Sequence, residues 1–153
     1  MDSSENALAG FDSVWSRVCG EAPCAAPGLD TLAEMAQRQR ELLCAIAGRC
    51  PSLAPGLNRM AAELARAVRR LAAESFLLTG RHCRPGAACA VIGGTLCALR
   101  DAHAASLELA EALSTAANAA ACEQRGTLDR LAAAERRHAR ELREIILSAL
   151  GAN

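Results

Sequence analysis

Aromatic side chains are nearly missing from this chain: one Trp, two Phe and no Tyr, 2% of its residues. β-Branched residues are scarce too, which argues against a sheet. Neither sign of charge prevails. Seventeen basic and 17 acidic side chains cancel to a formal net charge of zero, so no field draws in nucleic acid or an anionic membrane surface. No long apolar run is present. The longest stretch without a charge, residues 85–99, is too short to span a bilayer. The acidic N-terminus is not followed by an apolar segment of the kind that directs secretion. There is no Gly-rich loop ending in Lys-Ser/Thr, no G-x-S-x-G turn, and no strand to carry either. These absences leave a cytoplasmic, helical protein with no nucleic acid and no membrane among its partners.

What is present is 52% apolar residues in 153, enough for one domain with a real core. Ala, Leu, Arg and Glu dominate, all good helix formers. Eight Cys occur, at 19, 24, 44, 50, 83, 89, 97 and 122, and none pairs as C-x-x-C. Several stand in Ala-rich segments, where Cys acts as a small apolar residue. Reduced thiols are the expectation for a cytoplasmic chain. The even count leaves a secreted, disulfide-bonded reading as the alternative.

Periodicity predicts four helices. Residues 1–29 read as an arm and linker, with Phe11, Trp15 and Val18 on one face of a short helical turn and Pro and Gly between 20 and 28. The sole Trp is expected to pack onto the main body. Residues 30–153 form the four-helix domain. The first helix covers about 32–48, with Asp30 and Thr31 as caps, and Gly48 and Pro51 stop it. Its inner stripe is Leu32, Met35, Ala36, Gln39, Leu42, Leu43 and Ile46. The second covers about 57–79 and ends at Gly80; its seam is Leu57, Met60, Leu64, Ala67, Leu71, Glu74 and Leu78. The third covers about 95–121, with Leu96, Leu99, His103, Ser106, Ala110 and Leu113 in its seam. A turn at 122–126, with Thr127 as a cap, leads to a fourth helix over 128–149. The 81–94 connection is long enough to cross the length of a bundle. Short, long, short connections fit two antiparallel helical hairpins joined by a crossover.

The last helix carries the feature that points beyond a scaffold. Its seam reads Leu128, Leu131, Glu135, His138, Leu142, Ile145, Ala149. Two neighbouring seam positions are a carboxylate and an imidazole, three apart and on one face. Shifting the second helix by 71 residues onto the fourth gives seven identities in fifteen positions, from Leu57 on Leu128 to Leu71 on Leu142. In that register Glu135 falls on Leu64 and His138 on Ala67.

The segment Leu131-Ala-Ala-Ala-Glu135-Arg-Arg-His138-Ala-Arg-Glu-Leu142 resembles the fourth helix of the ferritin-like superfamily, in particular its rubrerythrin-like bacterial members. The run from Arg69 to Gly80 and the arm with Phe11, Val14, Trp15, Arg17 and Val18 are similar to a bacterial subgroup. The resemblance covers roughly residues 32–150 and implies a ferritin-like four-helix bundle. It also implies a di-iron site built from one Glu on each of helices one and three and Glu-x-x-His on each of helices two and four. Only Glu135 and His138 carry over. The other places hold Ala36, Leu64, Ala67 and Ser106, and Leu43 and Leu113 stand where a Tyr often follows. Hydrocarbon gives no donor and Ser a poor one, and one Glu cannot neutralise two ferrous ions out of water. Glu63 is expected to point about 100° away from Leu64, to the surface.

The expectation is therefore a degenerate di-iron site, no cofactor and no enzymatic activity: a structural or interaction protein that pairs with itself or a related helical partner. Glu135 and His138 would then bond each other, Gln39, Ser106 or water. Three alternatives stand beside it. One is a reduced metal site in which His103 joins Glu135 and His138 around one iron or zinc ion. Another is an unrelated helical interaction module. A third is thiol chemistry in the crossover, from Cys83 and Cys89 with His82. The Arg clusters at 66, 69 and 70 and at 136, 137 and 140 lie near Glu141 and Glu144, and read as ion-paired faces.

Overall fold

The computed structural model describes residues 26–86 and 90–151. The arm expected over 11–18, most of the linker, and Cys89 lie outside the described residues. Within them the chain is all-helical, with four helices and no strand: α1 Leu29–Arg49, α2 Ala54–Thr79, α3 Thr95–Ala119 and α4 Cys122–Ala149. No helix among the described residues is long and apolar enough to cross a membrane.

The helix ends differ from the sequence-based expectation in two places. α1 begins at Leu29 behind an extended Gly28, with no side-chain cap. Asp30 is inside the helix and instead accepts a hydrogen bond from the Ser75 hydroxyl near the end of α2. The expected 122–126 turn is helix, and Thr127 is not a cap. α4 starts at Cys122, and the α3–α4 connection is only Ala120 and Ala121. The reason lies at the end of α3, where Ala120 N–H turns back to Ala117 O and the last carbonyls have acceptor capacity left over. Arg125 reaches back to them, with Nε donating to Ala117 O at 3.1 Å and Nη2 to Asn118 O at 3.4 Å. That early turn of α4 must be helical to aim the guanidinium, and exposed Gly126 is tolerated within it. The end of α2 is as expected: Gly80 takes the left-handed conformation (φ 67°) that a residue without Cβ adopts readily.

All four helices contribute to one core. Leu32, Leu43, Leu57, Leu64, Leu99, Leu113 and Leu142 are buried in it, and among the described residues no Phe or Trp ring belongs to it. Small residues take the place that rings would fill. Ala33, Ala61, Ala98 and Ala116 are buried on α1, α2 and α3. The closest backbone approaches are α1 along α2 and α3 along α4, with α1 also packed on α3. α2 and α4 are not drawn together in this way, and they meet through long side chains.

The described parts of the 80–94 connection touch both ends of α1. At one end Cys83 lies beside Asp30. At the other, Arg49 Nη1 donates to Gly93 O at 2.8 Å, and Cys50 Sγ is 3.5 Å from Thr95 Oγ1. Leu43→Ala or Leu142→Ala, both fully buried, is expected to cost about 2–5 kcal/mol. Leu77→Ala, 79% exposed, should cost under about 0.5 kcal/mol. Urea unfolding followed by far-ultraviolet circular dichroism measures both.

Candidate functional site

α4 turns Leu128, Ala132, Glu135, His138, Ala139 and Leu142 inward. Four of the seven expected seam residues are buried, with Ala132 and Ala139 beside them; Leu131 and Ile145 are only partly buried and Ala149 is exposed. Glu135 is 4% exposed and His138 1%. One turn apart, they meet directly: His138 Nδ1 lies 3.0 Å from Glu135 Oε1. The other ring nitrogen is also engaged. His138 Nε2 lies 3.0 Å from Glu63 Oε2 on α2.

Glu63 is thus not the surface residue that its angle from Leu64 suggested. Its side chain is 21% exposed and turned toward α4. The physical reason is the wide α2–α4 separation, which leaves room at the flank of α2 for a side chain longer than those of the seam. A signal existed in the sequence. A buried imidazole has two nitrogens, and Glu135 serves one. Glu63 and Glu74 are the only acids on α2, and Glu63 is the nearer in the repeat register.

Both ring nitrogens of His138 lie beside carboxylate oxygens, an arrangement that favours the imidazolium, whose two N–H groups serve both. Its pKa lies above the ordinary 6.5. Burial pulls it down, but the hydrogen bonds and charges of Glu135 and Glu63 outweigh that. Glu63 lies below its ordinary 4.5. Burial raises it, and His138 and Arg137 together overcome the rise. Arg137 Nη2 donates to Glu63 Oε2 at 2.8 Å and Arg59 Nη1 to Glu63 Oε1 at 3.1 Å, while Arg59 also pairs with Glu141. Glu63, Glu135 and Glu141 are thereby matched by Arg59, Arg137 and a protonated His138, three charges of each sign.

Gln39 and Ser106 do not join this cluster. Gln39 Nε2 donates to Ala102 O at 2.8 Å and to Ser106 Oγ at 2.9 Å, tying α1 to α3. His103 stays apart as well. α3 buries Ala102 and Ser106, which rotates His103 to a half-buried flank. Among the described residues, no three His, Cys, Asp or Glu side chains are grouped so as to hold a metal ion.

A cavity of about 20 Å³ lies between the four helices, lined by Ala36, Leu64, Ala67, Leu113, Glu135 and His138 among others. The second oxygen of Glu135 is buried without a hydrogen-bond partner. Space of this size suits one water. Ala36, Leu64 and Ala67 line it with hydrocarbon where the resemblance places three ligands, and each ring nitrogen of His138 already faces a carboxylate. The residues present do not fit a two-metal centre.

Of the thiol alternative, Cys89 lies outside the described residues. His82 stacks on Phe76, with ring centroids 4.5 Å apart, while Cys83 faces Asp30. Burial, then Asp30 and then Glu34, push the Cys83 thiol above its ordinary 9.0, which lowers its reactivity. Compared with protein-family models, curated proteins and solved structures, the chain matches none.

A raised His138 contributes its full stability below about pH 6.5 and loses it as pH rises through its folded value. A lowered Glu63 contributes fully above about pH 4.5 and loses it as pH falls through its folded value. The urea midpoint should therefore be highest between about pH 4.5 and 6.5 as far as these groups decide it. His138→Leu should remove the decline on the alkaline side. His138→Ala, which strands a buried Glu135, should cost about 3–5 kcal/mol at pH 6. Mass-mapped maleimide labelling should modify exposed Cys44, Cys97 and Cys122 before Cys83, and Asp30→Asn should speed Cys83.

Proposed function

We propose that this chain is a ferritin-like, rubrerythrin-like bundle of two antiparallel hairpins and a crossover that works without a di-iron centre. In this reading it is a cytoplasmic, non-catalytic structural or interaction protein. The observation that carries the reading is the double commitment of His138. A metal ligand must offer a ring nitrogen with a free lone pair. Here Nδ1 and Nε2 each lie 3.0 Å from a carboxylate oxygen, one of Glu135 and one of Glu63. The two acids therefore cannot converge with one nitrogen on a single ion.

The position of the acids fits a clamp rather than a catalyst. Glu135 holds the ring from within α4, and Glu63 holds it from α2. Chemistry would need an open approach to a group that changes protonation in reach of a substrate. The cavity beside this pair instead holds about one water's worth of space. The end of α2 presents Phe76 and Leu77 to solvent, Leu77 at 79% exposure. Consecutive exposed apolar side chains suit contact with another protein surface, a second copy or a related bundle.

Tag-free protein from cells grown with added iron and zinc is expected to carry far less than one equivalent of any metal by plasma mass spectrometry. A stoichiometric metal that disappears in Glu135→Ala would overturn the proposal.

A further inference from the structure

An apolar groove opens at the end of the bundle where α1 and α4 begin and α2 and α3 end. It encloses about 360 Å³, and its walls include Leu29, Leu78, Ala116, Ala119, Ala120 and Leu128. Ala119 is exposed and Leu78 is 62% exposed, so no described residue covers this wall. Its polar groups are few. Asp30 and Ser75 already bond each other, and Gln124 stands among the lining residues.

We propose that this groove seats residues 11–18 of the same chain, anchored by Trp15. Three observations converge on that occupant. The described chain enters at Ala26, which itself lines the groove. Eight residue steps separate Val18 from Ala26, and they span at most ~29 Å. The tether thus reaches the groove without crossing the bundle, and a short tether gives an effective concentration on the order of millimolar.

The second observation is the pattern of the segment. Phe11, Val14, Trp15 and Val18 recur at i, i+3, i+4 and i+7, the spacing by which a helical segment lays one apolar face into a groove. The intervening Asp12, Ser13, Ser16 and Arg17 are polar. The third is the supply of rings: of the three Trp and Phe side chains in this sequence, two stand in this segment, and the other, Phe76, does not line the groove.

The composition matches as well. Among the described residues the core contains no aromatic ring, and four Ala, at 26, 116, 119 and 120, are among the groove's lining residues, short side chains that leave depth for a large ring. Trp and Phe bury about 150–250 Å² each. Gln124 offers a carbonyl to the indole N–H.

Trp15 is the only Trp and there is no Tyr, so fluorescence excited at the red edge reports this one side chain. In the full chain, emission blue-shifted from that of free indole and weakly quenched by acrylamide is expected, unchanged on dilution. Leu78→Glu and Ala119→Arg alter exposed groove residues. Each should shift the emission red and raise quenching several-fold, with circular dichroism unchanged. A solvated Trp15 in the parent chain would overturn the proposal. So would a blue emission indifferent to both variants. Blue emission lost on dilution, in step with dimer dissociation by sedimentation, would give the groove to the second copy's arm and equally overturn it.

Discussion

An imidazole that is 1% exposed must satisfy both of its nitrogens, and the meeting of α2 with α4 depends on how it does so. Taking a charge out of water costs several kcal/mol per ion. His138 carries one because Glu135 and Glu63 accept from its two sides. Glu63 in turn is held by Arg59 and Arg137, whose side chains are 47% and 48% exposed. The charge is passed outward from the core to the surface in three steps, and no member is left alone. Every basic side chain of this protein is Arg, whose fork can serve two acceptors at once. Arg59 does so, bonding Glu63 and Glu141.

The helix pairs are joined by different physics. α1 with α2 and α3 with α4 approach closely over Ala and Leu. α1 with α3 adds the buried Gln39 amide, bonded to Ala102 O and Ser106 Oγ. α2 with α4 stand wider and are spanned by acids and bases. Hydrocarbon packing tolerates small slips, whereas Glu63 reaches His138 only when residue 63 stands opposite residue 138. The charged pair therefore fixes how α4 is placed along α2. The 80–94 connection fixes the ends in a similar way, through Asp30 and Cys83 at one end of α1 and Arg49 and Gly93 at the other.

Much of this was legible in the residues. The apolar period gave four helices, and the connection at 81–94 was read as long enough to cross a bundle. Glu135 and His138 could be placed inside because they interrupt an otherwise apolar seam. The rest was obscured for physical reasons. Helical wheels assume that every helix faces its neighbours at one distance, and the wider α2–α4 gap makes room for a flanking residue such as Glu63. His103 shared the ideal period with Ser106, but Ala102 is smaller and lets α3 come closer to α1. The turn at 122–126 looked like a break because of Gly126. The tertiary bonds of Arg125 to Ala117 and Asn118 outweighed that local preference.

The protonation of His138 tests this account most directly. Nitrogen-detected NMR of the imidazole, recorded with and without added zinc, reads both ring positions separately. The account predicts two protonated nitrogens at pH 6.5, a titration midpoint above 6.5, and resonances that zinc does not move. A neutral ring with one bare nitrogen at that pH, or a zinc-induced shift at either nitrogen, would contradict it.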